Sequence, residues 1–185
     1  MRSRVPGRAP VVTVAGPHGS GRTTQAERLA ETFKLRYVSV GTLFRDRAKE
    51  LGISLEEMTR IAAEGDAFDR YLDDRTKKES RKGGVVIDAT LSAWMADRPD
   101  VRIYLTAPIG ERVHRIAERE RRDPEEVRRE TEERESAELK RFRRYYSVDL
   151  SDLTVYDMVL NTGPLAIEEV ANILKCLVKA YLGSE

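Results

Sequence analysis

The stretch VVTVAGPHGSGRTT, residues 11–24, decides the fold. Residues 11–15 are apolar and mostly β-branched, which is typical of a strand buried on both faces of a parallel sheet. A glycine-rich loop follows, and the next residues place Ala26, Leu29, Ala30 and Phe33 on one side of a helix. A strand, a glycine-rich loop and a helix in this order predict a loop that binds phosphate.

The loop GPHGSGRT, residues 16–23, matches the pattern G-x-x-x-x-G-K-[ST] at every fixed position except the lysine. Glycines let backbone N–H groups converge on an anion, and the helix that follows adds its positive end. We expect His18 to be a spacer that faces solvent and Thr23 to bind Mg²⁺ with its hydroxyl. The predicted donor-phosphate residues of this segment are Gly16, Pro17, His18, Gly19, Ser20, Gly21, Arg22, Thr23 and Thr24.

Arg22 stands where the pattern has lysine. Arginine keeps the positive charge, but its guanidinium is longer, planar and forked. It can bind a phosphate through two N–H groups, but not at the same place as a lysine unless something shifts. The loop is therefore expected to bind a nucleotide, while its ability to transfer phosphoryl groups depends on the reach of this one side chain.

The remaining chain alternates strands and helices, which predicts an α/β fold with a five-stranded parallel sheet flanked by helices. Further strands are predicted at 35–40, 83–89, 101–106 and 156–162, with helices at 41–52, from Ser54, at 66–82, from about Gly110, at 123–146 and at 164–182. We expect a flexible leader over residues 1–10 and one domain over 11–182. Its core would comprise 11–38, 83–110 and 155–182, with a helical flap at about 40–82 and a lid and arginine-rich helix at about 111–146.

Composition limits the function classes. The 185 residues carry a formal net charge of only +1, so no general attraction to nucleic acid is indicated. No apolar run is long enough to span a membrane and no secretory signal is recognisable, so we expect a cytoplasmic protein. We also expect it to be a monomer. The single cysteine, Cys176, lies in an apolar helical pattern that predicts a buried thiol. Only two asparagines and one glutamine occur among many arginines and glutamates, a bias typical of proteins from hot environments.

Several segments together resemble the archaeal-type cytidylate (CMP) kinases, which are P-loop nucleoside monophosphate kinases. They cover most of residues 11–181 in the family's order, and each alone would be weak. They are YVSVGTLFR (37–45), VVIDATLSAWM (85–95), YLTAP (104–108), ERVHRIAERE (111–120), RESAELKRF (134–142) and YDMVLNT (156–162).

The resemblance implies ATP and Mg²⁺ as cofactors and a nucleoside monophosphate, CMP or dCMP, as acceptor. It implies that Ser39, Gly41 and Arg45 bind the acceptor, and that Arg134, Glu138 and Arg141 hold phosphate and the acceptor ribose. Residues 134 and 141 are two helical turns apart and share one face with Glu138, although a solvated face of salt bridges would give the same spacing.

Arg112, Arg115 and Arg119 lie on the predicted helix that enters the lid, and Arg115 and Arg119 share a face at a spacing of four. We expect Arg115 and Arg119 to contact the donor phosphates. With Arg22, Arg134 and Arg141, Arg119 completes the predicted set of catalytic arginines, because guanidinium forks fit phosphate oxygens.

Asp88 ends the apolar strand VVID, and a carboxylate at that end of a parallel strand is well placed beside the phosphate loop. We expect Asp88 to hold Mg²⁺ with Thr23 and to lie at the acceptor site, although a helix cap or turn role would also explain it.

The family usually has an acidic residue, a glycine and often an arginine after this strand, whereas this chain has Asp88, Ala89 and Thr90. Thr90 can still hydrogen-bond the acceptor, more weakly than a charged donor. Three hypotheses follow: an ATP-dependent CMP or dCMP kinase, a kinase that acts on another acceptor, and a nucleotide-binding protein with weakened catalysis.

Overall fold

The computed structural model describes residues 8–54, 57–58, 61 and 67–183, except for the side chains of residues 44, 45 and 67–69. The strands are β1 (Val11–Ala15), β2 (Arg36–Ser39), β3 (Val85–Asp88), β4 (Val101–Thr106) and β5 (Met158–Asn161). The helices of the described residues that have defined bounds are α1 (Arg22–Thr32), α2 (Val40–Leu51), α3 (Ala67–Lys82), α4 (Ser92–Met95), α5 (Ile109–Glu120), α6 (Pro124–Tyr146) and α7 (Ile167–Leu182), with a 3₁₀ turn at Leu153–Val155.

The five strands form one parallel sheet in the order β2-β3-β1-β4-β5. The predicted α/β fold with a five-stranded parallel sheet is therefore confirmed. After β1 the chain runs to β2 at one edge of the sheet, and after β4 it runs to β5 at the opposite edge. The loops after these two strands diverge, and such a divergence at the carboxyl ends of strands is where α/β sheets bind their ligands.

The main core lies between the sheet and two helices that cover one of its faces. Val12, Val14 and Ile103 contribute strand side chains that are fully buried, and Leu29 of α1 and Leu174 of α7 pack against them. The alternation of buried residues along β4 shows that only every second side chain faces this core. The helix that follows the phosphate loop is therefore fixed against the sheet by apolar packing.

Several element boundaries differ from the sequence prediction. β2 ends at Ser39 rather than residue 40, because the Ser39 hydroxyl oxygen accepts a hydrogen bond from the backbone N–H of Thr42 and caps α2. The Ser54 hydroxyl oxygen accepts the N–H of Glu57, as the predicted cap requires. The short helix Ser92–Met95 was not predicted, since four residues give no periodic pattern.

Two further expectations concern Cys176 and the start of the chain. Cys176 is exposed, so the prediction of a buried thiol is wrong: α7 packs through Val170, Leu174 and Val178, and residue 176 lies away from that line. Residues 1–7 of the predicted leader lie outside the described residues. Arg8 is held against the fold, because its guanidinium donates to the backbone carbonyls of Ser80 (3.0 Å) and Asp97 (2.9 Å).

No helix in the described part of the chain is long and apolar enough to cross a membrane.

Candidate functional site

The loop after β1 is held close to β4 and α5, and its glycines are required by that closeness. A Cβ on Gly16 would lie 2.1 Å from the backbone oxygen of Leu105, and a Cβ on Gly19 would lie 2.6 Å from that of Arg112. Both positions also have positive φ angles, +144° and +80°. The loop thus comes to rest at the carboxyl ends of β1 and β4, directly before the first turn of α1.

Asp88, the last residue of β3, gathers three partners. Its Oδ1 forms an ion pair with Nε of Arg22, and its Oδ2 accepts hydrogen bonds from the Thr23 hydroxyl (2.8 Å) and the Tyr37 hydroxyl (3.0 Å). Asp88 is 3% exposed, so these contacts replace the water that a carboxylate needs. Burial and the charge of Asp88 raise the pKa of Tyr37, which therefore remains a hydrogen-bond donor.

Asp88 and Thr23, the two predicted Mg²⁺ ligands, offer the chemistry that this ion requires. Mg²⁺ prefers oxygen ligands and is usually held by one or two protein groups together with substrate phosphates and water. A buried carboxylate and a hydroxyl 2.8 Å apart fit that description. The described residues contain no group of three or more His, Cys, Asp or Glu side chains that could hold a metal ion by themselves, so phosphate and water would supply the remaining ligands.

Arg22 points towards the end of β3. Its Nη1 donates to the backbone oxygen of Gly16 (2.7 Å) and to Oγ1 of Thr90 (3.1 Å). The sequence placed Arg22 on the donor side and Thr90 on the acceptor side; in the structure these two departures from the family pattern contact each other. Arg22 also lines a pocket that opens beside the phosphate loop.

A pocket of about 220 Å³ opens between the phosphate loop and helices α5 and α6. Three of the predicted phosphate-binding arginines, Arg22, Arg119 and Arg134, contribute to its walls. The phosphate loop, the first turn of α1, helices α5 and α6 and the turn between those two helices provide the lining: Pro17, His18, Gly19, Gly21, Arg22, Thr23, Thr24, Ile116, Arg119, Glu120, Arg122, Val127, Glu130, Thr131 and Arg134.

Arg115 and Arg141 have other partners in this structure. Arg115 donates to Oγ1 (3.0 Å) and to the backbone oxygen (2.8 Å) of Thr162, just after β5. The guanidinium carbon of Arg141 lies 5.2 Å from the centre of the Phe142 ring, within range of a cation–π contact. The contact of either residue with phosphate stays a prediction.

His18 contacts α6, so the expectation that it only faces solvent is wrong. Its Nε2 lies 3.2 Å from Oε1 of Glu138, and Nε of Arg134 lies 3.4 Å from the same oxygen. Burial raises the pKa of Glu138, but the hydrogen bond from His18 and the charges of His18, Arg134 and Arg141 outweigh it and lower that pKa overall. Arg134 and Glu138 thus meet on one helix face, as their spacing predicts.

Sequence reasoning did not single out Glu135, which joins α6 to the loop. Its carboxylate accepts hydrogen bonds from the backbone N–H of His18 (3.0 Å) and from both Nη1 (2.5 Å) and Nη2 (3.2 Å) of Arg112. Arg112 is buried and also donates to the backbone oxygens of His18 (2.9 Å) and Ala107 (3.1 Å). Glu135 is three residues before Glu138, which places both on the same face of the helix and could have pointed to Glu135. Many other Glu and Arg residues of this helix have the same spacing, so the signal is not specific.

The acceptor side is defined by the end of β2 and the start of α2. Ser39 uses its hydroxyl to cap α2, where it also lies 2.8 Å from the hydroxyl of Thr42. Gly41 lies in the first turn of that helix. The backbone of Arg45 belongs to α2, but its side chain lies outside the description. Ser39 pairs with Asp88 across the sheet, which brings this region beside Thr23 and Arg22.

The family model and the individual sequences that this chain resembles both point to cytidylate kinases. Residues 11–164 match the cytidylate kinase-like family. The chain is 44% identical over 173 residues to a cytidylate kinase of Staphylothermus marinus, and the match covers 93% of this chain and 98% of that protein. It is 38% identical over 185 residues to a cytidylate kinase of Methanopyrus kandleri, covering 95% and 96% of the two chains.

Solved structures with the same fold are much less similar in sequence. A shikimate kinase from Acinetobacter baumannii, solved with shikimate, has a TM-score of 0.60 and 17% identity, and covers 93% of this chain and 94% of that one. An uncharacterized protein from Eubacterium ventriosum has a TM-score of 0.69 and 15% identity, covering 95% and 99%. At these identities the likeness concerns the fold alone.

Proposed function

This chain belongs to the cytidylate kinase-like family, and we propose that it transfers the γ-phosphoryl group of ATP to CMP or dCMP. The observation that carries the proposal is the meeting of Arg22 and Thr23 of the phosphate loop with Asp88 at the end of β3. This meeting joins the loop that would bind the donor to the strand end at which the acceptor would enter.

On the donor side, the triphosphate of ATP would lie on the loop and in the pocket beneath α5 and α6. The backbone N–H groups at the start of α1 would donate to such an anion, and the helix would add its positive end. Arg119 and Arg134 line the pocket and would neutralise phosphate charge. Ile116 and Val127 also line the pocket, but both are buried, so they leave little apolar surface for the adenine or ribose.

Thr23 and Asp88 would hold Mg²⁺ at the phosphates. When bound there, the ion would supply positive charge that neutralises the phosphate oxygens during transfer. The buried carboxylate of Asp88 keeps the Thr23 hydroxyl oriented. Arg22, held by the same carboxylate, would add a second fixed positive charge beside the reacting phosphates.

On the acceptor side, Ser39, Gly41, Arg45 and Thr90 would bind the monophosphate. Glu138 and Arg141 on α6 would hold the ribose and phosphate, together with Arg134. For this to happen the contact of Glu138 with His18 would have to open or be shared with the acceptor. The flap at about 40–82 and the lid and arginine-rich helix at about 111–146 are proposed to close over the two nucleotides and exclude water.

The chemistry would need no protein nucleophile. An oxygen of the acceptor phosphate attacks the γ-phosphorus, the bond from that phosphorus to the β–γ bridging oxygen breaks, and ADP leaves. The protein would contribute position and charge neutralisation, which are the main sources of catalysis in phosphoryl transfer. We propose that the enzyme acts as a cytoplasmic monomer.

An acceptor panel tests the proposed function. The native protein is incubated with ATP and Mg²⁺ and with CMP, dCMP, UMP, AMP or GMP, and ADP formation is measured in a coupled assay. We expect turnover with CMP or dCMP to exceed turnover with the purine monophosphates by at least about a hundredfold in kcat/KM. Folded protein that turns over none of the pyrimidine monophosphates would contradict the proposal.

A further inference from the structure

We propose that Arg22 and Thr90 form one binding element for the phosphate of the acceptor, so that the cationic side chain of the phosphate loop serves the acceptor more than the donor. This inference rests on the proposed function for the identity of the acceptor. It concerns which phosphate the guanidinium touches, and it follows from the way the side chain is held.

The side chain of Arg22 is anchored along one edge. Nε pairs with Asp88, and Nη1 donates to the backbone oxygen of Gly16 and to Oγ1 of Thr90. Gly16 directly follows β1, and Asp88 and Thr90 lie at the end of β3. These three contacts therefore hold the guanidinium at the carboxyl ends of two neighbouring strands, β1 and β3, rather than at the centre of the loop.

The other edge of the guanidinium, at Nη2, has N–H groups that can donate to a ligand. An arginine has five N–H groups, and Nη2 carries two of them. Within the described residues, Nη2 of Arg22 donates to no protein acceptor, although Nε and Nη1 are engaged. The Arg22 side chain is 17% exposed, so it is not sealed from solvent and its remaining N–H groups can meet a phosphate oxygen.

Thr90 adds a second donor beside the first. A hydroxyl can accept one hydrogen bond and donate another. Because Oγ1 of Thr90 accepts from Arg22 at 3.1 Å, its own hydrogen is left to point elsewhere. Thr90 is partly exposed between the buried residues Ala89 and Leu91. Nη2 of Arg22 and the Thr90 hydroxyl thus give two donors at the end of β3, where an acceptor phosphate would approach.

A lysine at position 22 could not reproduce this arrangement. Its three N–H donors belong to a single nitrogen, so that nitrogen cannot both pair with Asp88 and extend beyond it to an oxygen near Thr90. Arginine separates the two tasks, since one edge of the fork is held by the protein and the opposite edge is available to the ligand. The departure from the loop pattern is thereby matched to the residue at position 90.

The test separates acceptor binding from donor binding in Arg22→Lys, Thr90→Val and the double variant. KM for CMP and for ATP is measured for each, together with the affinity for each nucleotide alone by titration calorimetry. We expect Arg22→Lys and Thr90→Val each to raise KM for CMP about tenfold and to change the ATP affinity less than threefold. KM for CMP of the double variant should be little higher than that of the more impaired single variant, because the two residues act as a unit.

Ser92→Ala is the matched control for Thr90→Val. The Ser92 hydroxyl also follows β3, but it is buried and donates to the backbone oxygen of Ala89 (2.8 Å), so KM for CMP should stay within about twofold. The proposal is overturned if Arg22→Lys weakens ATP and leaves CMP unchanged, if Thr90→Val has no effect on CMP, or if the two losses simply add.

The inference and the proposed function can fail separately. If the native protein phosphorylates another monophosphate instead of CMP, the proposed function fails, and the same measurements with that monophosphate decide the role of the pair. If the native protein binds no monophosphate, both fail.

Discussion

The hydroxyl of Thr23 donates to Oδ2 of Asp88 at 2.8 Å, which joins the first turn of α1 to the last residue of β3. The two residues are 65 positions apart, and the register of the sheet brings them together, since Asp88 pairs with Val14 of β1. A hydroxyl and a carboxylate in this position are the oxygen ligands that we propose for Mg²⁺.

Asp88→Asn should impair both folding and catalysis. It removes the charge that pairs with the partly buried Arg22, so we expect a loss of about 3 kcal/mol in the free energy of unfolding in urea. It should also raise the Mg²⁺ concentration needed for half-maximal activity at least about tenfold. Asp97→Asn is the control, because Asp97 pairs with the exposed Arg81 and its loss should cost less than about 1 kcal/mol. Equal effects of the two variants would contradict the central role of Asp88.

Tyr37→Phe should lower stability by about 1 kcal/mol, since it removes one hydrogen bond to the buried Asp88 carboxylate and leaves the ring in place. Tyr181→Phe, at an exposed position of α7, should change the urea midpoint very little. In Tyr37→Phe, Asp88 retains its ion pair with Arg22 and its hydrogen bond from Thr23. We therefore expect the activity of Tyr37→Phe to fall less than that of Asp88→Asn. A larger fall would mean that the tyrosine hydroxyl also contacts a substrate.

Gly19→Ala and Gly21→Ala separate backbone strain from collision. Both glycines have positive φ angles, +80° and +85°, so alanine costs about 1–2 kcal/mol of strain at either position. A Cβ on Gly19 would also lie 2.6 Å from the backbone oxygen of Arg112, whereas a Cβ on Gly21 would meet nothing within 4 Å among the described residues. The midpoint of thermal unfolding without nucleotide should therefore fall further for Gly19→Ala. Equal shifts would show that the loop can move away from α5.

Arg112→Met and Arg119→Met should affect different properties although they lie on the same helix. Arg112 is buried and paired with Glu135, so its loss should cost about 3 kcal/mol or more in the free energy of unfolding. Arg119 is exposed and lines the pocket, so its variant should keep its stability and lose about tenfold in ATP affinity. The opposite pattern would contradict the assignment of Arg112 to structure and Arg119 to the donor.

Glu138 should make stability depend on pH in the acid range. Its pKa in the folded protein is below the ordinary value of 4.5, because the hydrogen bond from His18 and the charges of His18, Arg134 and Arg141 outweigh the effect of burial. Its contribution is thus complete above pH 4.5 and is lost as the pH falls through the lower folded value. The difference in unfolding free energy between the native protein and Glu138→Gln should be about 1 kcal/mol at pH 6 and should shrink towards pH 3. A difference that grows in acid would show the opposite shift.

The sequence by itself determined the class of fold and the identity of the nucleotide loop. The apolar run Val11–Ala15 predicts a strand buried on both faces, and the glycine pattern after it predicts the turn into α1. Both signals are local, because the side-chain pattern of a strand and the φ angles open to glycine depend on neighbours a few residues away. Arg134 and Arg119 were predicted from the resemblance to the archaeal-type cytidylate kinases, and both line the pocket.

Only the tertiary structure decided how the loop's side chains are used. Nothing in the sequence shows that Arg22 reaches Thr90 or that Glu135 holds His18 and Arg112, since these contacts span 68, 117 and 23 positions. In a helix where glutamate and arginine recur at almost every turn, spacing alone gives many equivalent pairs. The order of the strands and the packing of α5 and α6 select among them, because a charge becomes restricted to one partner when burial removes the water that would otherwise compete.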